Sequence, residues 1–284
     1  MSDLQSSTAA LNIKELALRL RIASLGSLLV AYSGGTDSAF LAWAAYKMLG
    51  RNMLALLADS PSLPRRELRL AREFAKTWGI PLTVVATNEI SKTEYTRNDA
   101  SRCFHCKNEL FALMERERSK RNFRHIAYGK NLDDHSDFRP GDRAAKEHRV
   151  VAPLADARLT KHEIRSLAQR YELEVWDKPA SACLASRIEY GRPVTREALA
   201  VIEAGEEALR ELGFRQARLR HHGEIARIEI GRDELDRAFS SKMALQFVSI
   251  FKNLGFKYVT LDCEGYRSGS MNAVLPIESI KMAE

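Results

Sequence analysis

The first two thirds of the chain alternate short apolar runs with longer segments in which apolar residues recur every three or four positions. Continuous apolar runs are typical of strands buried on both faces of a parallel sheet, and the longer spacing is typical of amphipathic helices. Their alternation predicts right-handed crossovers and a doubly wound parallel α/β fold. The predicted strands are Ser27–Tyr32, Met53–Ala58, Leu82–Ala86 and His125–Tyr128.

One predicted helix, over residues 65–78, carries this pattern clearly. Its apolar residues share one face and its basic residues lie on the others, which we interpret as an ordinary solvated helix surface. The apolar set is Leu68, Ala71, Phe74, Ala75 and Trp78, and the basic set is Arg65, Arg66, Arg69, Arg72 and Lys76.

The alternation of apolar runs with helical segments changes after Gly191-Arg192-Pro193. Thr195 is placed to cap a helix that runs to about Leu212. Two strand-like runs, 216–220 and 225–230, follow with a turn between them, and then a helix over about 233–254 and a strand at 257–261. This order predicts a small α+β unit, so we place a domain boundary near residue 190, with domains 1–190 and 191–284.

The amino-acid composition indicates a globular protein and excludes several other classes. The 284 residues are 45% hydrophobic and 29% charged, which excludes collagen-like and largely disordered chains. The net charge of +7 favours anionic partners such as phosphates or nucleotides. No run is apolar enough to span a membrane or to act as a secretory signal, so we expect a soluble cytoplasmic protein. Four cysteines are too few for a disulfide scaffold of this length.

The most informative short motif directly follows the first predicted strand and directly precedes a helical pattern. Two adjacent glycines allow a sharp turn, which brings free N–H groups and a helix N-terminus to one point that suits phosphate. The spacing differs from a Walker loop and from GxGxxG, and matches the SGGxDS PP-loop instead. Its residues are Ser33, Gly34, Gly35, Thr36, Asp37 and Ser38.

Polar residues also follow the second and fourth predicted strands. Asp59 and Ser60 end the second strand, and a segment from Gly129 to Asp134 follows the fourth. Carboxyl ends of parallel strands meet at one edge of a sheet, so these segments join the phosphate loop there. Candidate nucleotide-binding residues are Asp59, Ser60, Gly129 and Asn131. Asp133 and Asp134 are candidate Mg²⁺ ligands, or one of them is a helix cap.

The cysteines leave several interpretations open. Cys103 and Cys106 form a single CxxC motif, and Cys183 lies much later in the chain. The preceding sequence lacks the βαβ context of a thioredoxin-like pair. Zinc would need a fourth ligand such as His105, whereas three cysteines suffice for an iron–sulfur cluster with one open iron. Two unrelated thiols are the remaining alternative, and Cys263, at a predicted strand end, is expected to be a buried core thiol.

Together these residues resemble the PP-loop ATP pyrophosphatase superfamily, and more closely the LarE-type ATP-dependent sulfur transferases of nickel-pincer nucleotide synthesis. The resemblance extends over most of the chain, from about Leu28 to Leu275. The segments that carry it are AYSGGTDSAFLAW, ADSPSLPRREL, RCFHCKNELF, AYGKNLDDHSDFRPGDRAAKEHRVVAPL, DKPASACLASRIEYG, ARLRHHGEIARIEI and LDCEGYRSGSMNAVL.

The resemblance implies a reaction. ATP and Mg²⁺ adenylate a carboxylate of a pyridinium dicarboxylate mononucleotide with release of pyrophosphate, and a sulfur nucleophile then displaces AMP. In one branch of the family a single cysteine, matching Cys183, gives up its own sulfur. In another branch three cysteines hold a [4Fe-4S] cluster. Cys103 and Cys106 accompany Cys183 here, so the chain resembles the cluster-bearing branch.

The same resemblance implies further residues and partners. A substrate with a phosphate and carboxylates requires arginines, and the candidates are Arg187, Arg218, Arg220 and Arg267. Arg218 and Arg220 are two apart on a predicted strand and would share a face, while Glu229 is a possible metal ligand. Expected partners are an upstream carboxylase, a downstream nickel insertase and further copies of this chain in a homo-oligomer.

Three other functions remain open at this point. A tRNA-thiolating PP-loop enzyme would fit the positive charge and the basic stretches 65–72 and 116–124. The chain has no RRM or KH signature and few aromatic residues in those stretches, so nucleic acid is an unlikely partner. A non-catalytic module that senses ATP or redox state is a less economical explanation of three cysteines together with a PP-loop. An amidotransferase or synthetase that uses ammonia would not need the cysteines.

Overall fold

The computed structural model describes residues 2–136, 141–179, 182–267 and 271, and these form two sheets with flanking helices. The strands of the first sheet are β1 (Leu28–Ala31), β2 (Met53–Asp59), β3 (Leu82–Ala86) and β4 (His125–Tyr128). Its helices are α1 (Ser2–Leu25), α2 (Thr36–Leu49), α3 (Arg65–Thr77), α4 (Thr93–Thr96), α5 (Arg102–Lys120), α6 (Gly141–Glu147), α7 (Pro153–Asp156) and α8 (Lys161–Arg170).

All four strands of this sheet run parallel in the order β3-β2-β1-β4. Leu28 lies beside Met53 on one side and beside His125 on the other. The prediction of a doubly wound parallel α/β fold is confirmed. Because β1 is central and its side chains alternate between the faces, it contributes to the core on both sides of the sheet.

Two layers of helices cover the sheet. Leu28 and Val30 pack with α1, α2, α3 and α8, whereas Leu29 packs with α5 and α6 on the opposite face. On α3, Leu68 and Phe74 are among the buried residues, as the helical pattern predicted. The N-terminal helix α1, which the pattern did not single out, buries residues spaced one turn apart; they are Leu18, Ile22 and Leu25.

The second sheet contains β5 (Ala217–His222), β6 (Ile225–Ile230) and β7 (Tyr258–Leu261). β5 and β6 are antiparallel, and β7 runs parallel to β6. Helix α9 (Arg196–Glu211) begins after Thr195, whose hydroxyl accepts the Ala198 N–H as the sequence indicated. The helix lies close against β5, because a Cβ at Gly205 would lie 2.4 Å from Leu219 Cδ2. The predicted boundary near residue 190 stays a prediction.

Two sequence predictions in this region are wrong. The single helix expected over about 233–254 is divided into α10 (Leu235–Ala238) and α11 (Ser241–Asn253). Ser240 causes the break, because its hydroxyl accepts the Met243 N–H and starts a new helix. Cys263 is exposed rather than buried. It lies in a turn just beyond β7, where the Asp262 carbonyl accepts the Gly265 N–H at 3.1 Å.

Within the described part of the chain, no helix is long and apolar enough to cross a membrane.

Candidate functional site

The PP-loop connects the end of β1 to the first turn of α2. The Ser33 N–H donates to Ser38 Oγ at 3.1 Å, and the two hydroxyl oxygens lie 2.9 Å apart. Gly34 has a φ of +73°, and a Cβ there would lie 2.6 Å from the Cβ of Ala71 on α3. A side chain at Gly34 is therefore excluded by both conformation and space.

The end of β4 packs directly on the same turn. A Cβ at Gly129 would lie 2.8 Å from the Ser38 backbone nitrogen and 3.0 Å from its Cα. The chain therefore needs glycine where β4 reaches the helix that follows the PP-loop. Thr36 completes the packing, because its hydroxyl donates to the Val175 carbonyl at 2.8 Å. The loop is thus held from three directions before any nucleotide binds.

Asp37 is the charged residue at the centre of this loop. Its Oδ2 accepts from Lys161 Nζ at 2.7 Å and from Asn131 Nδ2 at 3.1 Å. Its Oδ1 is buried and accepts no hydrogen bond within the described residues. A buried carboxylate oxygen with no donor has an unmet need for a cation or donor. This orphaned oxygen fits a Mg²⁺ ligand or a bound water next to the phosphates.

The two other aspartates proposed for Mg²⁺ have local contacts. Asp133 Oδ2 accepts the Lys161 backbone N–H at 2.8 Å, at the first turn of α8. Asp134 Oδ2 accepts the Asn131 N–H at 3.1 Å and is mostly buried. The geometry supports the helix-cap alternative for Asp133, and both carboxylates shape the segment that presents Asn131 to Asp37.

The end of β2 brings two more predicted residues to the same edge of the sheet. Asp59 forms an ion pair with Arg65 at 2.5 Å. The Ser60 hydroxyl donates to the buried carboxylate of Glu89, and Ser60 Oγ also accepts the Ser62 N–H at 3.0 Å. This hydrogen bonding turns the chain after β2 towards the segment that carries Cys183.

The three cysteines lie near one another. Cys103 and Cys106 occupy the first two turns of α5, Cys103 exposed and Cys106 partly buried against Tyr95. Burial raises the pKa of Cys106 well above its ordinary value, and the nearby charges of Cys183, Glu89 and Cys103 raise it further. The described side chains include no set of three or more His, Cys, Asp or Glu residues arranged to hold a metal ion. Three thiols fit a cluster by chemistry, and their spacing here is not that of a formed site.

Cys183 is fixed by the backbone around it. The N–H of Leu184 donates to the Ser62 carbonyl at 2.8 Å, which ties the cysteine segment to the chain after β2. Arg187 Nη1 donates to the Cys183 carbonyl at 2.8 Å, and its Nε donates to Glu206 at 2.9 Å. Arg187 is only 1% exposed. The structure therefore places this predicted substrate-binding residue in the wall that holds Cys183.

The arginines of the second sheet have unlike surroundings. Arg220 is buried and pairs with Glu229 at 2.7 Å, and Arg227 approaches the same carboxylate at 3.3 Å. Two guanidinium groups on one buried carboxylate give no support to a metal role for Glu229. Arg267 is half-buried and forms an ion pair with the exposed Glu264 at 2.5 Å. Arg218 lies over the ring of Tyr266, and burial, followed by the charge of Arg187, lowers its pKa.

A cavity of about 480 Å³ lies between the PP-loop, α3, α9 and β5. Lys178, on the wall of this cavity, contacts both the PP-loop and α3. Its Nζ donates to the Gly34 carbonyl at 2.9 Å and pairs with Glu67 at 2.7 Å. A mixture of cations and carboxylates on the walls suits a ligand that carries both signs of charge. The charged lining residues are Arg66, Glu67, Glu73, Glu174, Asp177, Lys178, Arg187, Glu206, Arg210, Arg215 and Arg218.

Comparison with known proteins identifies the family. No protein-family model matches the chain. The pyridinium-3,5-bisthiocarboxylic acid mononucleotide synthase of Lactiplantibacillus plantarum is 32% identical over 270 residues, which cover 94% of this chain and 96% of that enzyme. The chain belongs to the LarE-type family. The resemblance carried by the sequence motifs is confirmed.

Two further relatives have no assigned function. An uncharacterised protein of Synechocystis sp. is 41% identical over 258 residues, 91% of this chain and 96% of its own. An uncharacterised protein of Methanocaldococcus jannaschii is 32% identical over 241 residues, 85% of this chain and 91% of its own. The three alignments cover 85–94% of this chain and 91–96% of each relative, so the similarity extends over nearly the full length of the chain.

Three charged residues near this LarE-type site were not found from sequence. They are Glu89, Lys161 and Lys178, whereas Arg102 directly precedes Cys103 in the sequence. None belongs to a motif with its own spacing, and each reaches the site through tertiary contacts. Lys161 is the first residue of α8, directly after the N-cap Thr160, and its backbone N–H donates to Asp133. Lys178 is adjacent in sequence to the Cys183 segment, and that proximity was the one available signal.

Replacement of Gly34 by alanine should greatly weaken ATP binding. The matched control is Gly50→Ala, since Gly50 also has a positive φ but has no neighbour within 4 Å of an added Cβ. Both variants meet backbone strain, of roughly 1–2 kcal/mol, and only Gly34→Ala also displaces α3 from the loop. Calorimetric titration with a non-hydrolysable ATP analogue measures the difference. Equal affinity in the two variants would contradict the close packing described for the PP-loop.

Proposed function

We propose that the protein inserts sulfur into carboxylates of a pyridinium dicarboxylate mononucleotide at the expense of ATP. The observation that carries this proposal is the contact between Leu184 and Ser62, which sets Cys183 beside the sheet edge that bears the PP-loop. The relative from Lactiplantibacillus plantarum, by its name, makes the corresponding bisthiocarboxylic acid mononucleotide. Family and geometry therefore support the same chemistry.

Adenylation is supported by the PP-loop. A carboxylate oxygen of the substrate attacks the α-phosphorus of ATP, the bond to the β-phosphate oxygen breaks, and pyrophosphate leaves. The free N–H groups at the start of α2 face the phosphates, and Lys178 supplies a cation next to the loop. Mg²⁺ would bind beside Asp37 Oδ1 and supplies positive charge that neutralises the phosphates.

Sulfur transfer is supported by the cysteines. A sulfur nucleophile at Cys183 attacks the acyl carbon of the adenylate, and AMP departs with the electron pair of the broken C–O bond. If Cys183 Sγ itself attacks, loss of the Cα proton and cleavage of the Cβ–Sγ bond release the thiocarboxylate and leave dehydroalanine. A sulfide delivered beside Cys183 gives the thiocarboxylate directly. Two carboxylates require two such cycles. Cys103, Cys106 and Cys183 would hold an iron–sulfur cluster, which when bound supplies iron for an additional sulfur ligand. Arg187 holds the Cys183 segment in place through the Cys183 carbonyl.

Further proposals concern where the substrate binds, which enzymes supply the substrate and consume the product, and how the chain assembles. The cavity beside the PP-loop, with Arg218 on its wall, has the mixed charge that a cationic pyridinium ring with anionic substituents requires. An enzyme that carboxylates a pyridine nucleotide has to supply the substrate, and an enzyme that inserts nickel has to consume the product. We also propose that the chain assembles with copies of itself in the cytoplasm.

Pyrophosphate release should depend on the small substrate. Anaerobically purified protein is mixed with ATP and either the pyridinium dicarboxylate mononucleotide or bulk tRNA, and pyrophosphate is measured with a coupled enzyme assay. We expect release with the mononucleotide alone, because a carboxylate is the proposed acceptor. Release with tRNA alone would show that the acceptor is a base and would overturn the proposed substrate.

Cys183→Ala should separate the two half-reactions. The PP-loop is independent of the thiol, so pyrophosphate release is retained, whereas thiocarboxylate formation falls to the background measured by mass spectrometry. Cys263→Ser is the matched control, since Cys263 is an exposed thiol outside the site, and it should keep full yield. An unchanged thiocarboxylate yield in Cys183→Ala would exclude sulfur delivery at this position. In the wild type, conversion of Cys183 to dehydroalanine after turnover distinguishes sacrificial use from relay.

A further inference from the structure

Three arginines of the described chain are almost fully buried, and they differ in what neutralises them. Arg187 is 1% exposed and pairs with the buried Glu206, and Arg220 is 6% exposed and pairs with the buried Glu229. Arg102 is 4% exposed, yet no described carboxylate forms an ion pair with it. A buried guanidinium without a counter-ion is costly, by several kcal/mol. This cost indicates that Arg102 has an anionic partner of another kind.

The hydrogen bonds of Arg102 connect the two cysteine segments. Its Nη1 donates to the Asn98 side-chain oxygen and to the Ala185 carbonyl, the latter at 2.9 Å. Asn98 in turn donates to the Glu189 carbonyl at 2.8 Å and the Arg192 carbonyl at 3.0 Å. The guanidinium is therefore fixed between the start of α5 and the chain after Cys183. All of these acceptors are neutral, so they orient the charge without cancelling it.

A sulfur atom and an aromatic ring lie beside the Arg102 guanidinium. Its Nη2 is 4.0 Å from Cys103 Sγ, its Cζ is 5.6 Å from the centre of the Tyr190 ring, and the Ala185 carbonyl that it contacts is two residues after Cys183. Burial lowers the pKa of Arg102, whereas Cys183 and Cys103, followed by Tyr190 and Tyr95, raise it, so that the pKa lies above its ordinary value. Glu89, the buried carboxylate of this region, is engaged by Ser60 and acts on Cys106 instead.

We propose that Arg102 forms an anion subsite at the cysteine centre, where its uncompensated charge attracts and orients a small anionic group that arrives next to Cys103 and Cys183. The chemical class of ligand is an anionic sulfur species or an anionic sulfur donor. Arg102 acts through the cysteines, so it is a positioning residue. The catalytic meaning of this subsite rests on the proposed function, whereas its existence is a statement about charge alone.

The test uses protein purified without an iron–sulfur cluster, in which Cys103 is an exposed free thiol. It compares two aromatic disulfides that react with this thiol at one fixed pH. One is the dianionic dithionitrobenzoate and the other is the neutral dithiodipyridine. In each reaction the Cys103 thiolate attacks a reagent S–S bond, a protein–reagent disulfide forms, and an aromatic thiolate leaves. Because the same thiolate attacks both reagents, the ratio of the two rates cancels its ionised fraction and reports attraction for the anion. Cys263→Ser is the background, and peptide mass spectrometry assigns the adduct.

We expect the ratio of anionic to neutral rate to fall roughly threefold to tenfold in Arg102→Gln, which removes the charge and retains a hydrogen-bond donor. Arg102→Lys keeps the charge and should keep most of the ratio. Arg97→Gln is the matched control, because Arg97 is exposed, pairs with Asp99, and loses the same unit charge outside the site. An unchanged ratio in Arg102→Gln, or an equal fall in Arg102→Lys, would overturn the proposal.

A second measurement needs no Arg102 variant and stays decisive if Arg102→Gln does not fold. In the wild type, added salt should lower the rate ratio at Cys103 more than at the exposed Cys263. Identical salt dependence at the two thiols would contradict an anion subsite. Both readouts report charge whether or not the protein transfers sulfur, so they separate failure of this inference from failure of the proposed function.

Discussion

The hydrogen bond from the Leu184 N–H to the Ser62 carbonyl, at 2.8 Å, joins the two chemical halves of the molecule. One half is the PP-loop edge of a parallel sheet, where nucleotide phosphates are expected, and the other is the segment that carries Cys183. Without this contact an activated carboxylate and a sulfur nucleophile would have no common site. The backbone after β2 therefore fixes the Cys183 segment beside the sheet edge at which we propose that the nucleotide binds.

A buried ion pair holds the Cys183 segment at this contact. Arg187 holds the Cys183 carbonyl and is neutralised by Glu206 on α9, so the second part of the chain stabilises the cysteine segment directly. Removal of one partner from such a buried pair strands a charge, at a cost of about 3–5 kcal/mol. Arg102 differs because no described carboxylate pairs with it, and we propose that an anionic sulfur group supplies the counter-charge. We therefore interpret Arg187 with Glu206 as a structural ion pair and Arg102 as a functional cation.

The sequence predicted the fold where local patterns are strong. The four parallel strands and the first helix of the second unit follow from apolar runs and from Thr195 as a cap. The break at Ser240 was missed because a serine within an apolar helical pattern does not reveal whether it caps or continues a helix. Cys263 was misplaced because its turn begins only one residue after the last strand.

The candidate site was predicted where residues lie in one contiguous motif. Gly34 was singled out because adjacent glycines allow a sharp turn, and its φ of +73° agrees with that reason. The close packing of Gly34 on Ala71 and of Gly129 on Ser38 was not predicted. Lys161, Lys178 and Glu89 were not found, because only the folded chain brings them to the loop. The prediction that Arg187 binds substrate stays a prediction, since Arg187 lines the cavity while its hydrogen bonds go to Glu206 and the Cys183 carbonyl.

A single-turnover experiment tests most directly whether activation and sulfur transfer share one site. Protein in excess is mixed with the dicarboxylate mononucleotide and ATP labelled in the adenine ring, and quenched samples are analysed for acyl adenylate and AMP. The account predicts that acyl adenylate forms in both wild type and Cys183→Ala, decays to AMP together with thiocarboxylate in the wild type, and accumulates in the variant. AMP formation at the same rate in both proteins, or no acyl adenylate in either, would contradict it.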